Sequence, residues 1–149
     1  MIKKFLIINL FLFIFFSTNS YSDNNTYMSL KNNKVNVRYG PGLDYPIKFV
    51  FNKKNYPVEI IDQKENFRKI LDFKKNSGWI HRSQLKKSSS FITLDNAILF
   101  TDSTKFSRPI AKIELGRQLN KKKCNLNWCR VETGEYKGWV LKESLWGLN

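Results

Sequence analysis

From Val35 onward the chain alternates apolar and polar residues over short stretches, and nowhere in that region does it sustain apolar residues at helical spacing. The runs KVNVR, IKFVF, PVEII, FRKIL and GWIH each carry β-branched or aromatic residues over four or five positions, which predicts five strands. Turn formers separate them: Gly40-Pro41-Gly42, Asn52-Lys53-Lys54-Asn55, Lys64-Glu65-Asn66 and the stretch from Lys74 to Gly78. The pattern is that of an all-β protein.

A fainter pass of the same order follows. NAILFT answers KVNVRY, Pro109-Ile110 answers Pro46-Ile47, NWCRVE answers NFRKIL, and KGWVLKESL answers SGWIHRSQL, all at a spacing of about 60 residues. Agreement in order, spacing and residue type predicts two copies of one small β unit joined near Ser88–Ser90. Five short strands are too few for a two-sheet sandwich. A strongly bent small barrel fits better, because closing the sheet on itself removes exposed edges. A unit of this size buries only about 60% of its unfolded surface, so the two copies are expected to pack on each other.

Ahead of the repeat, Met1-Ile2-Lys3-Lys4 is a basic start, and FLIINLFLFIFF is a run of twelve residues with a single polar member. STNSYSD then offers Ser20 and Ser22 as small residues for a signal peptidase. The run falls short of the roughly 20 residues of a membrane span, which favours a cleaved secretory signal over an uncleaved anchor. The expected organisation is a signal peptide at 1–22, a first barrel at 23–88 and a second at 89–149. No further stretch is apolar enough to cross a membrane.

Charge changes the picture in one respect. The formal net charge is +14, and Lys3 and Lys4 supply only two of those charges. A basic protein is drawn to nucleic acid, anionic lipid or the acidic polymers of a cell envelope, and export removes nucleic acid from that set. The general abundance of Lys, Asn and Ile, typical of AT-rich genomes, accounts for part of the charge. His81 is the only histidine, so a histidine metal cluster is ruled out, and Cys124 and Cys129 lack further histidines to join them. No catalytic group, metal or cofactor is expected. His81 reads as a surface residue beside the last strand of its copy.

The two cysteines straddle Asn125-Leu126-Asn127 in an exported protein, which points to a disulfide; two free thiols are the alternative. A redox pair fits poorly, because the spacing is not C-x-x-C. Lys121-Lys122-Lys123 reads as a solvated hairpin end or, with Arg117, Arg130 and Lys137, as a positive face on the second copy.

VNVRYGPGLDYPI resembles the first strand and loop of bacterial SH3-like (SH3b) domains, whose usual wording is near L-N-V-R-x-G-P-x. GWIHRSQL and GWVLKESL resemble that family's closing G-W-V strand, and the order of both copies, WCRVE included, is similar to a two-domain secreted subgroup of Gram-negative bacteria. The resemblance spans residues 28 to 147. The second copy departs from it, since ILFTDSTKFSRP lacks the Arg, the Gly-Pro-Gly and the tyrosines. The resemblance implies two tandem SH3-like barrels and a non-catalytic, periplasmic binding or scaffolding module of the cell envelope. Its implied ligand is peptidoglycan or its stem peptides. Alternatives are an adaptor for an envelope protein and a basic binder of anionic lipid surfaces. Partners are thus a cell-wall polymer or envelope protein, with no nucleic acid and no stable membrane insertion once the signal is cleaved.

Within the opening motif, Gly40 and Gly42 can take positive φ and Pro41 fixes its own near about −65°, which would break the first strand and turn the loop away. Pro46 then restarts extended chain. The loop is first a corner. The candidate binding surface is the set beside it: Tyr39 and Tyr45, with Arg38 and Trp79, because rigid aromatics give large contact area at low entropic cost. Trp79 and its counterpart Trp139 fit core packing equally well. Intact-mass measurement of the exported protein is expected to show loss of residues 1–22; a mature chain still starting at Met1 overturns the signal assignment.

Overall fold

The computed structural model describes residues 26–149. The expected signal peptide lies outside them. The first unit consists of β1 (Thr26–Leu30), β2 (Val35–Arg38), β3 (Ile47–Phe51), β4 (Pro57–Lys64), β5 (Phe67–Leu71), β6 (Ser77–His81), a 3₁₀ turn (Arg82–Gln84) and β7 (Leu85–Lys87). The second repeats it: β8 (Ser90–Thr93), β9 (Ala97–Phe100), β10 (Pro109–Ile113), β11 (Gln118–Cys124), β12 (Trp128–Thr133), β13 (Tyr136–Leu141), a 3₁₀ turn (Lys142–Ser144) and β14 (Leu145–Trp146). The sheet orders are β3-β2-β6-β5-β4-β1-β7 and β10-β9-β13-β12-β11-β8-β14, so each strand of one sheet has its counterpart in the other. All pairings are antiparallel.

Each sheet therefore has seven strands, where the hydrophobic pattern predicted five. The missed strands are the flanking pair of each unit, β1 with β7 and β8 with β14. They are short: β1, β7 and β8 mix serine or lysine with apolar residues, and β14 is only two residues long. They form because β1 and β8 each bridge two neighbours. The strands bend at bulges between Ile60 and Asp62 and between Lys121 and Lys123, the device that lets a small sheet curl round its own core.

Period-two alternation decides what lies inside. In β2, Val35 and Val37 are buried while Asn36 is exposed; in β6, Gly78 and Ile80 face in and Trp79 and His81 face out. The first core gathers Leu30, Val35, Val37, Val58, Ile70, Ile80 and Leu85. The second gathers Phe91, Leu99, Leu119, Cys129, Val131 and Val140. Gly78 lets β6 press against β2, since a Cβ there would stand 2.4 Å from Val37 Cγ1 and 3.0 Å from the Arg38 carbonyl oxygen. Gly138 does the same for β13, where a Cβ would lie 2.5 Å from the Phe100 carbonyl oxygen.

The units pack on each other, as their small size requires. Trp146 meets Tyr27 edge-on at 5.1 Å between ring centroids and Phe73 at 5.8 Å. The Asn149 side chain pairs with the Tyr27 backbone, accepting from its N–H at 2.5 Å and donating to its carbonyl at 3.1 Å. The serine run at the join is part of this junction. Ser88 and Ser90 are buried; the Ser29 hydroxyl accepts from the Ser89 N–H at 3.0 Å, and Ser90 donates to the Asn55 carbonyl. Hydroxyls bonded in this way can be buried without the penalty of an unpaired polar group.

Cys124 and Cys129 form a disulfide between cross-strand partners at the end of the β11–β12 hairpin. By loop closure alone, the bridge stabilises by about 2 kcal/mol. Cys124→Ser is expected to cost that amount, read as a drop of several degrees in melting temperature. An unchanged melting temperature, or free thiols alkylated in the native protein, contradicts it.

Candidate functional site

The β2–β3 loop is closed at its base by the Tyr39 N–H donating to the Pro46 carbonyl at 3.2 Å. Within it, the Gly42 N–H donates to the Gly40 carbonyl at 3.0 Å, and Arg38 Nη1 donates to the Tyr45 carbonyl at 2.7 Å. Neither Gly40 nor Gly42 adopts positive φ, contrary to the expectation from the Gly-Pro-Gly motif. The glycine at 40 serves a close approach instead. A Cβ there would lie 2.2 Å from the Tyr45 ring, which packs directly on the bare backbone.

This geometry places the four expected site residues. Arg38 is the hub: its guanidinium holds the carbonyl of Tyr45, and its Cα pairs with that of Trp79 across β2 and β6. Trp79 is half-buried on the outer face, with Lys69 as its β5 partner. Tyr45 is kept partly exposed by its seat on Gly40. Tyr39, 63% exposed, points toward Lys48, whose ammonium lies 5.7 Å from the ring centroid and donates to the Ser77 carbonyl at 2.8 Å. Among the described residues, the two tyrosines and Trp79 make no ring contact with one another.

A groove runs beside this cluster, and of the four only Arg38 lines it. Its floor is Phe67, met edge-on by His81 at 5.2 Å. Leu43 and Ile47 form the loop-side wall, with Lys34 and Arg38 as cations and Gln84 at the far end. Leu43 is 72% exposed, so the wall is apolar surface already facing solvent. His81, expected as a plain surface residue, also accepts at Nδ1 from the Ser83 N–H at the start of the 3₁₀ turn. Sequence reading missed Phe67, Leu43 and Ile47 as groove residues; the one available signal was an exposed-type leucine inside a Gly/Pro loop. Among the described residues, no group of three or more His, Cys, Asp or Glu side chains could hold a metal ion.

The second unit has a cleft in the equivalent place. Strand register puts Trp128 where Phe67 stands, Leu141 where His81 stands and Phe100 where Arg38 stands. Trp128 and Leu141 line that cleft, and Phe100 meets Trp128 edge-on at 5.7 Å. The cationic hub of the first unit is thus an aromatic contact in the second.

A third aromatic cluster, Phe49, Phe51 and Tyr56, lies with Phe73 near Gly116 of the second unit. Burial pushes the Tyr56 phenol up to about 12, and the neighbouring Asp72 carboxylate adds to the shift. The phenol stays neutral there, as suits packing.

Residues 31–87 and 96–147 match the family described as bacterial SH3 domain. The chain belongs to the bacterial SH3 domain family, with two copies in tandem. No curated protein matches it. Similar solved structures include NlpC2 and NlpC1 from Trichomonas vaginalis, each 16% identical, and an NlpC/P60 family protein from Bacillus cereus, 12% identical. They cover 82%, 85% and 80% of this chain and 48%, 47% and 55% of their own, each with a TM-score of 0.38. The chain spans about half the length of those proteins.

The seat of Tyr45 on Gly40 is tested by a double-mutant cycle. Gly40→Ala is expected to destabilise by about 1–3 kcal/mol through overpacking, and to cost far less in a Tyr45→Ala background. An equal cost in both backgrounds would place the role of Gly40 in the backbone and not in the ring contact.

Proposed function

We propose that the protein is a non-catalytic binding module of the cell envelope that takes its ligand in the groove of the first unit. The observation that carries this reading is the groove's composition: an aromatic floor, Phe67 with His81, and an apolar wall, Leu43 and Ile47, beside the cations Arg38 and Lys34. A groove that sets apolar side chains beside cations suits short peptides that carry both aliphatic side chains and carboxylates. Peptidoglycan stem peptides have that chemistry. The ligand class is supported by family membership, and its location in the first unit by the geometry. Export to the periplasm belongs to the same reading, resting on the N-terminal sequence.

Tyr39, Tyr45 and Trp79 flank the groove and would extend the contact where a glycan or a longer peptide continues past Arg38. The Arg38 bond to the Tyr45 carbonyl gives the loop one anchored position, which lowers the ordering cost of binding. The test is co-sedimentation with purified sacculi at raised salt, where a purely electrostatic attraction is screened. Wild-type protein should pellet with the sacculi. Leu43→Ser and Arg38→Ala should each weaken retention by roughly tenfold, the scale of one charged hydrogen bond or one apolar side chain. Retention unchanged in the combined variant would rule out the groove; retention lost in wild type at raised salt would rule out the ligand class.

A further inference from the structure

At one end of the second unit two large apolar side chains stand almost wholly in water. Phe106, on the β9–β10 loop, is 99% exposed and Leu126, on the β11–β12 hairpin, is 86% exposed. They flank one cleft, with Trp128 and Leu141 beneath them and Lys105 and Lys142 beside them. We propose that this end of the second unit docks on an anionic phospholipid membrane surface. Phe106 and Leu126 enter the headgroup layer, and the surrounding lysines pair with lipid phosphates. The proposal is independent of the groove in the first unit.

The exposure is not a product of slack loops. Ser107 Oγ accepts from the Asp102 N–H at 3.2 Å and donates to the Thr104 carbonyl at 2.9 Å. The Phe106 N–H donates to Thr104 Oγ1 at 3.3 Å. On the other side the disulfide closes the hairpin, and Asn125 Oδ1 accepts from the N–H groups of Asn127 at 3.2 Å and Trp128 at 2.8 Å. Local bonds thus hold both tips outward before any contact is made. The fold gains nothing from such placement, whereas apolar tips ringed by lysine are the composition of an interfacial anchor.

Charge complementarity selects the surface. Behind the tips, the outer face of β11–β13 presents Lys123, Arg130 and Trp139 in one cross-strand row, with the Lys123 ammonium 5.5 Å from the Trp139 ring centroid. Glu132, on the same face, is bound by Lys122 and by Lys137 at 3.4 Å. Glu143 in the cleft and Asp102 in the loop stand against Lys105, Lys142, Lys123 and Arg130, which leaves that end positive. A peptide lying in the cleft would cover Trp128 yet leave the outward sides of Phe106 and Leu126 in water. A fluid surface covers both tips at once.

The test uses the exported form, its N-terminus fixed by intact mass, sedimented with mixed phosphatidylethanolamine–phosphatidylglycerol vesicles and, in parallel, with phosphatidylcholine vesicles. Binding to the anionic vesicles is expected. Phe106→Ser combined with Leu126→Ser should weaken it by roughly 100-fold at an unchanged melting temperature, because neither tip is packed. Lys105→Glu with Lys142→Glu should weaken it by roughly tenfold or more. A Phe106→Trp variant should emit further to the blue on anionic vesicles and be quenched by brominated acyl chains. The proposal is overturned by equal binding to phosphatidylcholine, by full binding of the double serine variant, or by unmoved emission from the Phe106→Trp variant. It is equally overturned if an acidic apolar peptide occupies the cleft while the vesicles leave the protein in solution.

Discussion

The close approach of two strands across a glycine governs this structure. Where Gly78 lies against Val37 and the Arg38 carbonyl, no side chain of any size fits, and Gly138 stands in the same relation to Leu99 and Phe100. Without that approach β2 and β6 could not pair at Arg38 and Trp79, and the sheet would stay open along that seam. Everything outward follows from it. Once Gly78 and Ile80 face the core, strand alternation turns Trp79 and His81 outward. Register with β5 then delivers Phe67 and Lys69 to the same face. The groove of the first unit is the outer side of a contact made inside.

Because both units obey this constraint, their differences lie in what the shared frame displays. The first unit sets Arg38, His81 and Phe67 round its groove; the second sets Phe100, Leu141 and Trp128 at the matching positions. One duplicated frame carries a cationic trough and, at the equivalent place, an apolar cleft with two projecting tips. The second copy lacks the arginine, the Gly-Pro-Gly and the tyrosines of the first while sharing its glycine–tryptophan pair. The shared glycine lets the strands close, while the shared tryptophan lies on the outer face of each sheet.

Much of the fold was legible in the chain, since period-two alternation at Val35–Val37 and the paired GW strands are local signals. The flanking strands were not. Thr26–Leu30 carries Ser29 at a fully buried position, and only its bond from the Ser89 N–H explains a hydroxyl there. Gly-Pro-Gly was legible as a corner, but the reason for Gly40 is a ring five residues further on, a relation that dihedral preference cannot express. The groove was the least legible part. Phe67 and His81 meet only through the β5–β6 register, and Leu43 joins them through the fold of its loop, so no contiguous stretch of sequence spells the site.

The serine run between the units has a consequence for how the protein would meet a peptidase. Flanked by Lys86 and Lys87, a stretch of three serines has the composition of a flexible tether and would be an obvious place for a nick. Here the chain passes straight from β7 into β8, with Ser88 and Ser90 buried and Ser89 bonded to β1 and β11. A peptidase must draw several residues into extended, unbonded form before it can cut, and this segment yields them only if the junction itself opens. The duplicated protein is thereby protected at the one point where cleavage would turn it back into two marginal halves.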